Sequence, residues 1–174
     1  WLKSRSGTYG AYNPQAYDVV RGFGATKDLT PTTTAVEGVD SGVYGYISAV
    51  GADGFTLAAG SSNSNQNNEN SATFASWNWK AGTSFTNDAS GTGIGTIDST
   101  GSFNDTAGFS IVSYTGTGSA GTIKHGLNSV PKMIIIKARS AVKDWTVYHN
   151  SISAENYLEL NQTIASTDSA STFN

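Results

Sequence analysis

The sequence predicts an all-β protein, an antiparallel β-sandwich of jelly-roll or lectin-like type, and three observations support this class. Ser, Thr, Asn and Gly make up about 45 % of the 174 residues, and these residue types form helices poorly. Short runs of β-branched and aromatic residues recur between clusters of turn-forming residues. No window of 11 or more residues shows the 3.6-residue period of an amphipathic helix. Helix is therefore expected only as one or two short turns.

Four segments in the first half of the chain have strand-like patterns: AYDVVRG at 16–22, VYGYISAV at 43–50, DGFTLAAG at 53–60 and SATFASWNWK at 71–80. Side chains alternate across a strand, so Phe74 lies on one face of the last segment and Trp77 and Trp79 lie on the other. Apolar residues on both faces indicate a sheet that is covered on both sides.

Four further strands are predicted at 107–116, 132–139, 144–150 and 156–160. The segment KMIIIKAR at 132–139 contains an unbroken apolar run, which is typical of a strand deep in a core. The apolar positions of the strongest strands are expected to be buried, and they are Phe109, Ile111, Ile134, Ile136, Trp77 and Val147.

Two segments are predicted to lie outside the strands. SSNSNQNNEN at 61–70 contains five Asn and no apolar residue, which predicts a solvated, mobile loop. The stretch 81–105 is rich in Gly, Ser and Thr and is interpreted as a linker that contains a domain boundary. Its GTGIG run at 91–95 lacks the following helix or lysine of a phosphate-binding loop, so it is assigned to the linker as well.

An internal repeat predicts the domain organisation. WLKSRS at 1–6 and IIKARS at 135–140 share the order apolar, apolar, Lys, small, Arg, Ser. Weaker matches follow in the same order, 17–20 with 145–148 and 29–32 with 160–163. The chain is therefore expected to be a fragment of tandem repeats cut from something longer. Residues 1–100 would be the later part of one β-sandwich unit, and residues 101–174 the opening part of the next.

Composition argues against several classes of partner. The net charge is −3 and the basic residues are scattered, so nucleic acid is not an expected partner. The longest apolar run, Met133–Ile136, is far shorter than the ~20 residues that cross a bilayer, so no membrane insertion is expected. The chain has no Cys, which excludes disulfides, thiolate zinc sites and thiol nucleophiles.

The segment GFSIVSYTGTGSAGTIKHGLNSVPKMIIIKARSAVKDWTVYH at 108–149 resembles the opening of a repeat domain of unknown function. That domain occurs, often in tandem, in large virion structural proteins of tailed, often marine, bacteriophages. WLKSRS, YDVVRG, DGFTL and SATFASWNWKAG are similar to its middle and end, so the resemblance covers nearly the whole chain in permuted order.

This resemblance implies a structural component of the phage particle, located extracellularly on the virion, in a tail fibre or appendage involved in host attachment. The implied partners are other virion proteins and host surface polysaccharide. Particle proteins of this class commonly form homo-oligomers, and a trimer would cover exposed edge strands. The family has no assigned catalytic residues to transfer.

The two histidines are interpreted as structural. His125 lies in a Lys-His-Gly-Leu turn and His149 at a strand end, with no HxH, HxxxH or HExxH spacing. Asp144 and His149 could be combined with a serine as a triad, but no GxSxG nucleophile elbow is present.

The sequence positions of the carboxylates favour a structural role in turns over a catalytic role. Candidates for a glycosidase pair, Asp53, Asp98 and Asp105, follow or precede turn-forming residues, where Asp bonds its own backbone. The same acids with Asn67, Asn68 and Glu69 offer oxygen ligands for calcium, but the DxDxDG pattern is missing. We therefore assign no catalytic, cofactor-binding or metal-binding residue, expect no cofactor and do not expect an enzyme.

The aromatic residues allow two interpretations. Trp77, Trp79 and Trp145 are expected mainly in the core, because large aromatic side chains usually hold sheets together. Exposed, they would stack on sugar rings, with Tyr44 and Tyr46 as further surface candidates. Three rivals to the phage protein thus stay open: a lectin-like module that binds polysaccharide, an enzyme that cleaves it, and a bacterial surface adhesin repeat.

Overall fold

The computed structural model describes residues 1–7, 12–62 and 65–168, and it confirms the all-β class. The strands are β1 Leu2–Ser4, β2 Tyr46–Val50, β3 Phe55–Ala58, β4 Phe74–Ser76, β5 Thr83–Asn87, β6 Ser99–Asn104, β7 Phe109–Tyr114, β8 Met133–Ile136, β9 Thr146–His149, β10 Asn156–Glu159 and β11 Thr167–Asp168. These ranges also contain three four-residue helices, α1 Ser41–Tyr44, α2 Asn65–Asn68 and α3 Ala89–Thr92. Within the described residues helix is thus confined to single turns, as predicted, but there are three of them and not the one or two expected.

The chain forms two compact units. Unit 1 consists of Trp1–Asn78, Ile135–Val147 and Leu158–Ser166. The described residues of unit 2 lie in Trp79–Ile134, Tyr148–Tyr157 and Thr167–Asp168. The boundary predicted after residue 100 falls inside β6. The assignment of 1–100 and 101–174 to successive tandem units stays a prediction.

The core of unit 1 is built around Trp145. Its indole is buried with Ala16 and Leu29, and Trp1 packs against this group. The indole Nε1 donates hydrogen bonds to the carbonyl oxygens of Thr30 and Thr33, both at 3.1 Å. The indole therefore packs in the core and also holds the polar turn at residues 30–33 through two hydrogen bonds.

Short backbone pairings frame this core. Strand β1 pairs antiparallel with β4, with Leu2 opposite Ser76. Leu2 also exchanges two backbone hydrogen bonds with Gln15, and Ala16 does the same with Leu29. The predicted strand at 71–80 is limited to its three central residues, 74–76.

The strand predicted at 16–22 is wrong, because Asp18 bends the chain. Its Oδ1 accepts hydrogen bonds from the backbone N–H groups of Val20 and Arg21, at 3.0 and 2.9 Å. The N–H of Gly22 then donates to the Asp18 carbonyl, which closes a tight turn. A side chain that bonds its own backbone competes with the strand ladder, and here it prevails.

The segment predicted as a strand at 43–50 begins as a helix. Val43 and Tyr44 complete α1, and Gly45 at φ 95° ends it. Strand β2 then pairs antiparallel with β3, with a bulge between Ile47 and Ala49. Gly60 lies against this helix so closely that a Cβ there would sit 2.0 Å from the Val43 carbonyl oxygen. The helix therefore depends on a glycine at 60.

Unit 2 contains a three-stranded antiparallel meander, β5-β6-β7. The segment 81–105, predicted to be a linker, forms β5, α3 and β6 instead. Asp88 caps α3 by accepting the N–H of Gly91 at 3.0 Å. The ring of Phe85 packs across Gly101, where a Cβ would lie 2.5 Å from ring carbons. Glycine at 101 thus belongs to a packed sheet.

A four-stranded sheet has the order β11-β10-β9-β8. Strand β10 pairs antiparallel with β9 and with β11; Leu158 lies opposite Val147, and Asn156 lies opposite Asp168. Strand β8 is an edge strand of this sheet, with one neighbour in the described chain.

The burial predictions are only partly confirmed. Val147 is buried, whereas Phe109, Ile111 and Ile136 are half-buried. The predictions for Ile134 and Trp77 are wrong, because both side chains are exposed. Ile134 is exposed because β8 lies at a sheet edge, and Trp77 because it follows the end of β4.

The predicted solvated loop at 61–70 is also wrong in its described part. Residues 65–68 form α2, and the side chains of Gln66, Asn67 and Glu69 are buried. The physical reason is clear at Asn67, whose side-chain amide can be buried because Gln15 and the carbonyl of Gly45 accept its hydrogen bonds. Residues 63 and 64 lie outside the described part of the chain.

The two copies of the proposed internal repeat share little secondary structure. The segment 1–6 contains β1, but in 135–140 only the first two residues belong to a strand, β8. Strand equivalence of the two copies is therefore restricted to Leu2 and Ile136.

Candidate functional site

The three candidate tryptophans differ in environment. Trp145 is in the core, as predicted, but Trp77 and Trp79 are 51 % and 53 % exposed. Trp79 stacks on Phe109 in unit 2, with ring centroids 6.0 Å apart. Tyr44 is exposed and Tyr46 half-buried in unit 1. The core assignment is therefore wrong for Trp77 and Trp79.

The histidines take the structural roles that the sequence predicted. His125 Nδ1 accepts the backbone N–H of Leu127 at 3.1 Å, and His149 Nδ1 accepts that of Ser151 at 3.2 Å. Each ring thus organises its own turn.

The candidate carboxylates are dispersed. Asp53 lies in the turn between β2 and β3, and Asp105 accepts hydrogen bonds from the backbone and side chain of Asn128. Asp98 precedes β6 and accepts the N–H of Ala89 at 2.8 Å. Over residues 1–7, 12–62 and 65–168, no group of three or more His, Asp or Glu side chains is placed to hold a metal ion. In the same ranges no helix has the length and apolar character needed to cross a membrane.

Asp144 in unit 1 accepts hydrogen bonds from two side-chain amides. Gln162 and Asn161 donate to its Oδ1 at 2.8 and 2.7 Å, and these bonds lower the pKa of the carboxyl. A depressed pKa in the folded state means that the bonds favour folding above the unfolded-state pKa. This contribution is lost as the pH falls through the folded-state pKa.

We predict that Gln162→Ala raises the Asp144 pKa toward the ordinary value of ~3.9, because the largest cause of the depression is removed. A carbon-13 NMR titration of the carboxyl measures this directly. Thr163→Ala, one residue further on, is the control and should leave the titration unchanged. An unaltered Asp144 pKa in Gln162→Ala would contradict the described geometry.

A buried polar cluster, defined here as Gln15, Asp28, Ser41 and Asn67, lies in unit 1. Asn67 Nδ2 donates to Gln15 Oε1 and to the carbonyl of Gly45. The hydroxyl and the backbone N–H of Ser41 donate to Asp28 Oδ1. The cluster therefore joins four segments distant in sequence through hydrogen bonds.

The surroundings of the cluster favour the protonated forms of two nearby groups, Tyr17 and Asp40. Burial, followed by the charge of Asp28, raises the pKa of the Tyr17 hydroxyl, which donates to Gln15 Oε1 at 2.9 Å. Burial and Asp28 also raise the pKa of Asp40. Because the cluster is enclosed, it stabilises the fold and presents no surface to a ligand.

Arg21 is the centre of a second polar network in unit 1. Its guanidinium pairs with Asp18 and Glu37, and it also donates to the carbonyl oxygens of Ala16 and Lys27. Glu37 pairs in addition with Arg139 at 2.7 Å. The planar guanidinium has five N–H donors in a fixed fork, against three on a lysine ammonium, and it serves four acceptor residues here.

The start of the edge strand β8 and the segment just before it carry exposed apolar side chains in unit 2. Val130, Met133 and Ile134 are 87 %, 56 % and 40 % exposed, and we call them the β8 patch. Consecutive strand residues point to opposite faces, so exposure at both Met133 and Ile134 leaves both faces of the strand open. An exposed apolar edge strand favours pairing with another chain.

A cleft of about 430 Å³ lies at one end of the meander in unit 2. Its walls come from the segment before β6 and the segment after β7, and its lining residues are Thr96, Ile97, Asp98, Thr115, Gly116 and Thr117. Three hydroxyl groups and one carboxylate thus surround a single large apolar side chain.

The cleft has a hydrogen-bonded frame. Thr96 and Ile97 donate their N–H groups to the carbonyl of Thr122, and Thr96 Oγ1 accepts the Thr122 N–H at 2.9 Å. Gly121 packs so closely that a Cβ there would lie 2.7 Å from Ile97 Cδ1. The sequence pointed to Asp98 as a turn acid and as a weak candidate for a glycosidase pair or a calcium site, and it did not point to the threonines. The pairing of β6 with β7 brings Asp98 and the threonines to the same end of the meander.

Comparison with known proteins gives one family and no close relative of known function. No curated protein and no solved structure matches the chain significantly. One family model matches residues 1–174, and its description names no activity. The chain belongs to the family described as domain of unknown function DUF7483.

Proposed function

We propose that this chain is a structural and interaction module of a tailed bacteriophage particle. It would form part of a tail fibre or similar appendage, outside the host cell, and take part in host attachment. The resemblance of 108–149 to repeats of virion structural proteins supports this role, and so does the all-β architecture. An antiparallel β-sandwich arrangement of the assembled units is part of the proposal.

The observation that carries the proposal is the β8 patch. Fully burying an apolar side chain of this size contributes about 1.5–3 kcal/mol, so covering Met133 and Ile134 favours association. Among the described strands, β8 has a neighbour on one side alone, so the backbone groups of its other side are open to a strand of another chain. The sequence predicted a buried strand here, and assembly would provide that burial.

The occupant that we propose is a second copy of this chain. A net charge of −3 on 174 residues opposes self-association only weakly. Lys132, which directly precedes β8, is exposed, and a charge beside an apolar strand limits unspecific aggregation. Three copies around an axis would cover three such edges, which is the trimer expected for particle proteins.

We predict that Ile134→Lys shifts the protein toward the monomer, because a charge is placed in the contact. Sedimentation equilibrium over a range of concentrations measures the change. The association constant should fall at least about tenfold, which corresponds to ~1.4 kcal/mol of association free energy. Ile94→Lys is the matched control, because Ile94 is an exposed isoleucine of the same unit outside the β8 patch. Monomeric wild-type protein, or an equal effect of both variants, would contradict assembly through β8.

The location on a virion requires a separate experiment. Gold-labelled antibodies against this chain should bind an appendage of the phage particle in electron micrographs. If the antibodies bind a bacterial surface and leave phage particles unlabelled, the phage assignment is overturned and the adhesin alternative is supported.

A further inference from the structure

We propose that the unit 2 cleft binds a neutral saccharide residue through Asp98 and Thr115. This inference concerns a surface other than the β8 patch, and it rests on the proposed role in host attachment. It names the chemical class of the host component, an uncharged sugar of a surface polysaccharide, and the residues that would recognise it.

The polar groups of the cleft suit a ligand rich in hydroxyl groups. Asp98 uses Oδ1 for the Ala89 N–H, and its Oδ2 forms no hydrogen bond with any described residue. The Thr115 hydroxyl likewise has no partner within the described ranges. One carboxylate oxygen and one hydroxyl are thus available as acceptor and donor, and sugar hydroxyls can serve both.

The other lining groups add shape and restrict the position of a ligand. Thr96 Oγ1 already accepts the Thr122 N–H, and Thr117 Oγ1 hydrogen bonds with the backbone of Ser119. Both threonines are therefore held in place. Ile97 also lines the cleft, but its side chain is buried, so recognition rests on the polar groups. A volume of about 430 Å³ lies within the ~300–1,000 Å³ of small-molecule sites.

The charge of the cleft selects among ligand classes. Its six lining residues include one carboxylate and no cationic side chain. A phosphate, sulfate or uronic acid would face Asp98 without a compensating charge, and this disfavours anions. Calcium prefers six to eight oxygen ligands, often from several carboxylates, and a single Asp meets this demand poorly. A neutral polyhydroxylated ligand fits best.

The test is a nitrogen-15 NMR titration of the whole chain with glucose, galactose and mannose, and with short neutral oligosaccharides of each. We expect concentration-dependent shifts of the amides at 96–98 and 115–117. Thr115→Val removes one hydroxyl and should weaken binding about 5- to 10-fold. Asp98→Asn keeps an oxygen for the Ala89 N–H, removes the charge and should weaken binding at least as much.

Thr100→Val is the matched control, because Thr100 is an exposed threonine on β6 outside the cleft and should leave affinity unchanged. Absence of shifts with all of these sugars, or equal weakening by Thr100→Val, would overturn the proposal. Shifts at the same amides with calcium chloride alone, abolished by Asp98→Asn, would overturn it in favour of a cation site. Stronger binding of sodium glucuronate than of glucose would also overturn the proposal, because it would show a preference for an anionic sugar.

These outcomes are independent of assembly through β8. A chain that binds sugar but stays monomeric supports the cleft and contradicts the proposed association. A chain that associates through β8 without binding sugar gives the reverse result.

Discussion

Trp145→Ala is expected to lower the free energy of unfolding of unit 1 by about 3–5 kcal/mol. The indole fills the core with Ala16 and Leu29, so its removal leaves a cavity. The carbonyl oxygens of Thr30 and Thr33 also lose their donor. Because single domains are stable by only ~5–15 kcal/mol, this loss threatens the folding of the unit. Urea denaturation followed by far-ultraviolet circular dichroism measures it.

Trp77→Ala is the matched control for this prediction. Trp77 belongs to the same unit, but half of its side chain is exposed, so its truncation should cost well under half as much. Equal losses for the two variants would show that Trp145 is not the centre of the core.

Arg21→Ala is expected to lower the free energy of unfolding by about 3–5 kcal/mol, because it leaves the largely buried Asp18 carboxylate without its cation and Glu37 with Arg139 alone. The Arg21 side chain is only 6 % exposed, and those of Asp18 and Glu37 are 14 % and 12 % exposed. Arg21→Lys should be intermediate, since an ammonium keeps the charge but cannot reproduce the planar set of donors. Thermal unfolding of the three proteins gives the order.

Arg139→Ala provides the comparison, because Arg139 pairs with the same Glu37 but its side chain is 40 % exposed. Exposed pairs contribute about 0–1 kcal/mol, so this variant should unfold close to the wild type. A loss as large as that of Arg21→Ala would mean that burial does not determine the strength of these pairs.

The sequence was informative where local patterns determine structure. The β-branched and aromatic residues in 107–116 and 156–160, and the alternation in 144–150, correctly predicted β7, β10 and β9. The sequence was misleading at 16–22, where β-branched residues form a turn fixed by Asp18. A local side-chain bond of this kind leaves little trace in hydrophobic periodicity.

The polar parts of the fold were the least predictable. The Asn-rich segment looked like a solvated loop, yet Asn67 is buried because Gln15, 52 residues earlier, supplies its acceptor. Such a partner is fixed by tertiary structure and is not visible in the segment itself. The cleft was missed for the same reason, since Thr96 and Thr115 are brought together only by the pairing of β6 with β7.

Assembly through β8 is tested most directly by amide hydrogen exchange at Met133–Ile136, measured on the whole chain at low and at high protein concentration. Our account predicts that these amides exchange more slowly at high concentration, because a neighbouring copy covers the edge, whereas the amides of β2 in unit 1 keep their rates. Unchanged exchange at β8 in a protein that does associate would contradict the account and place the contact elsewhere.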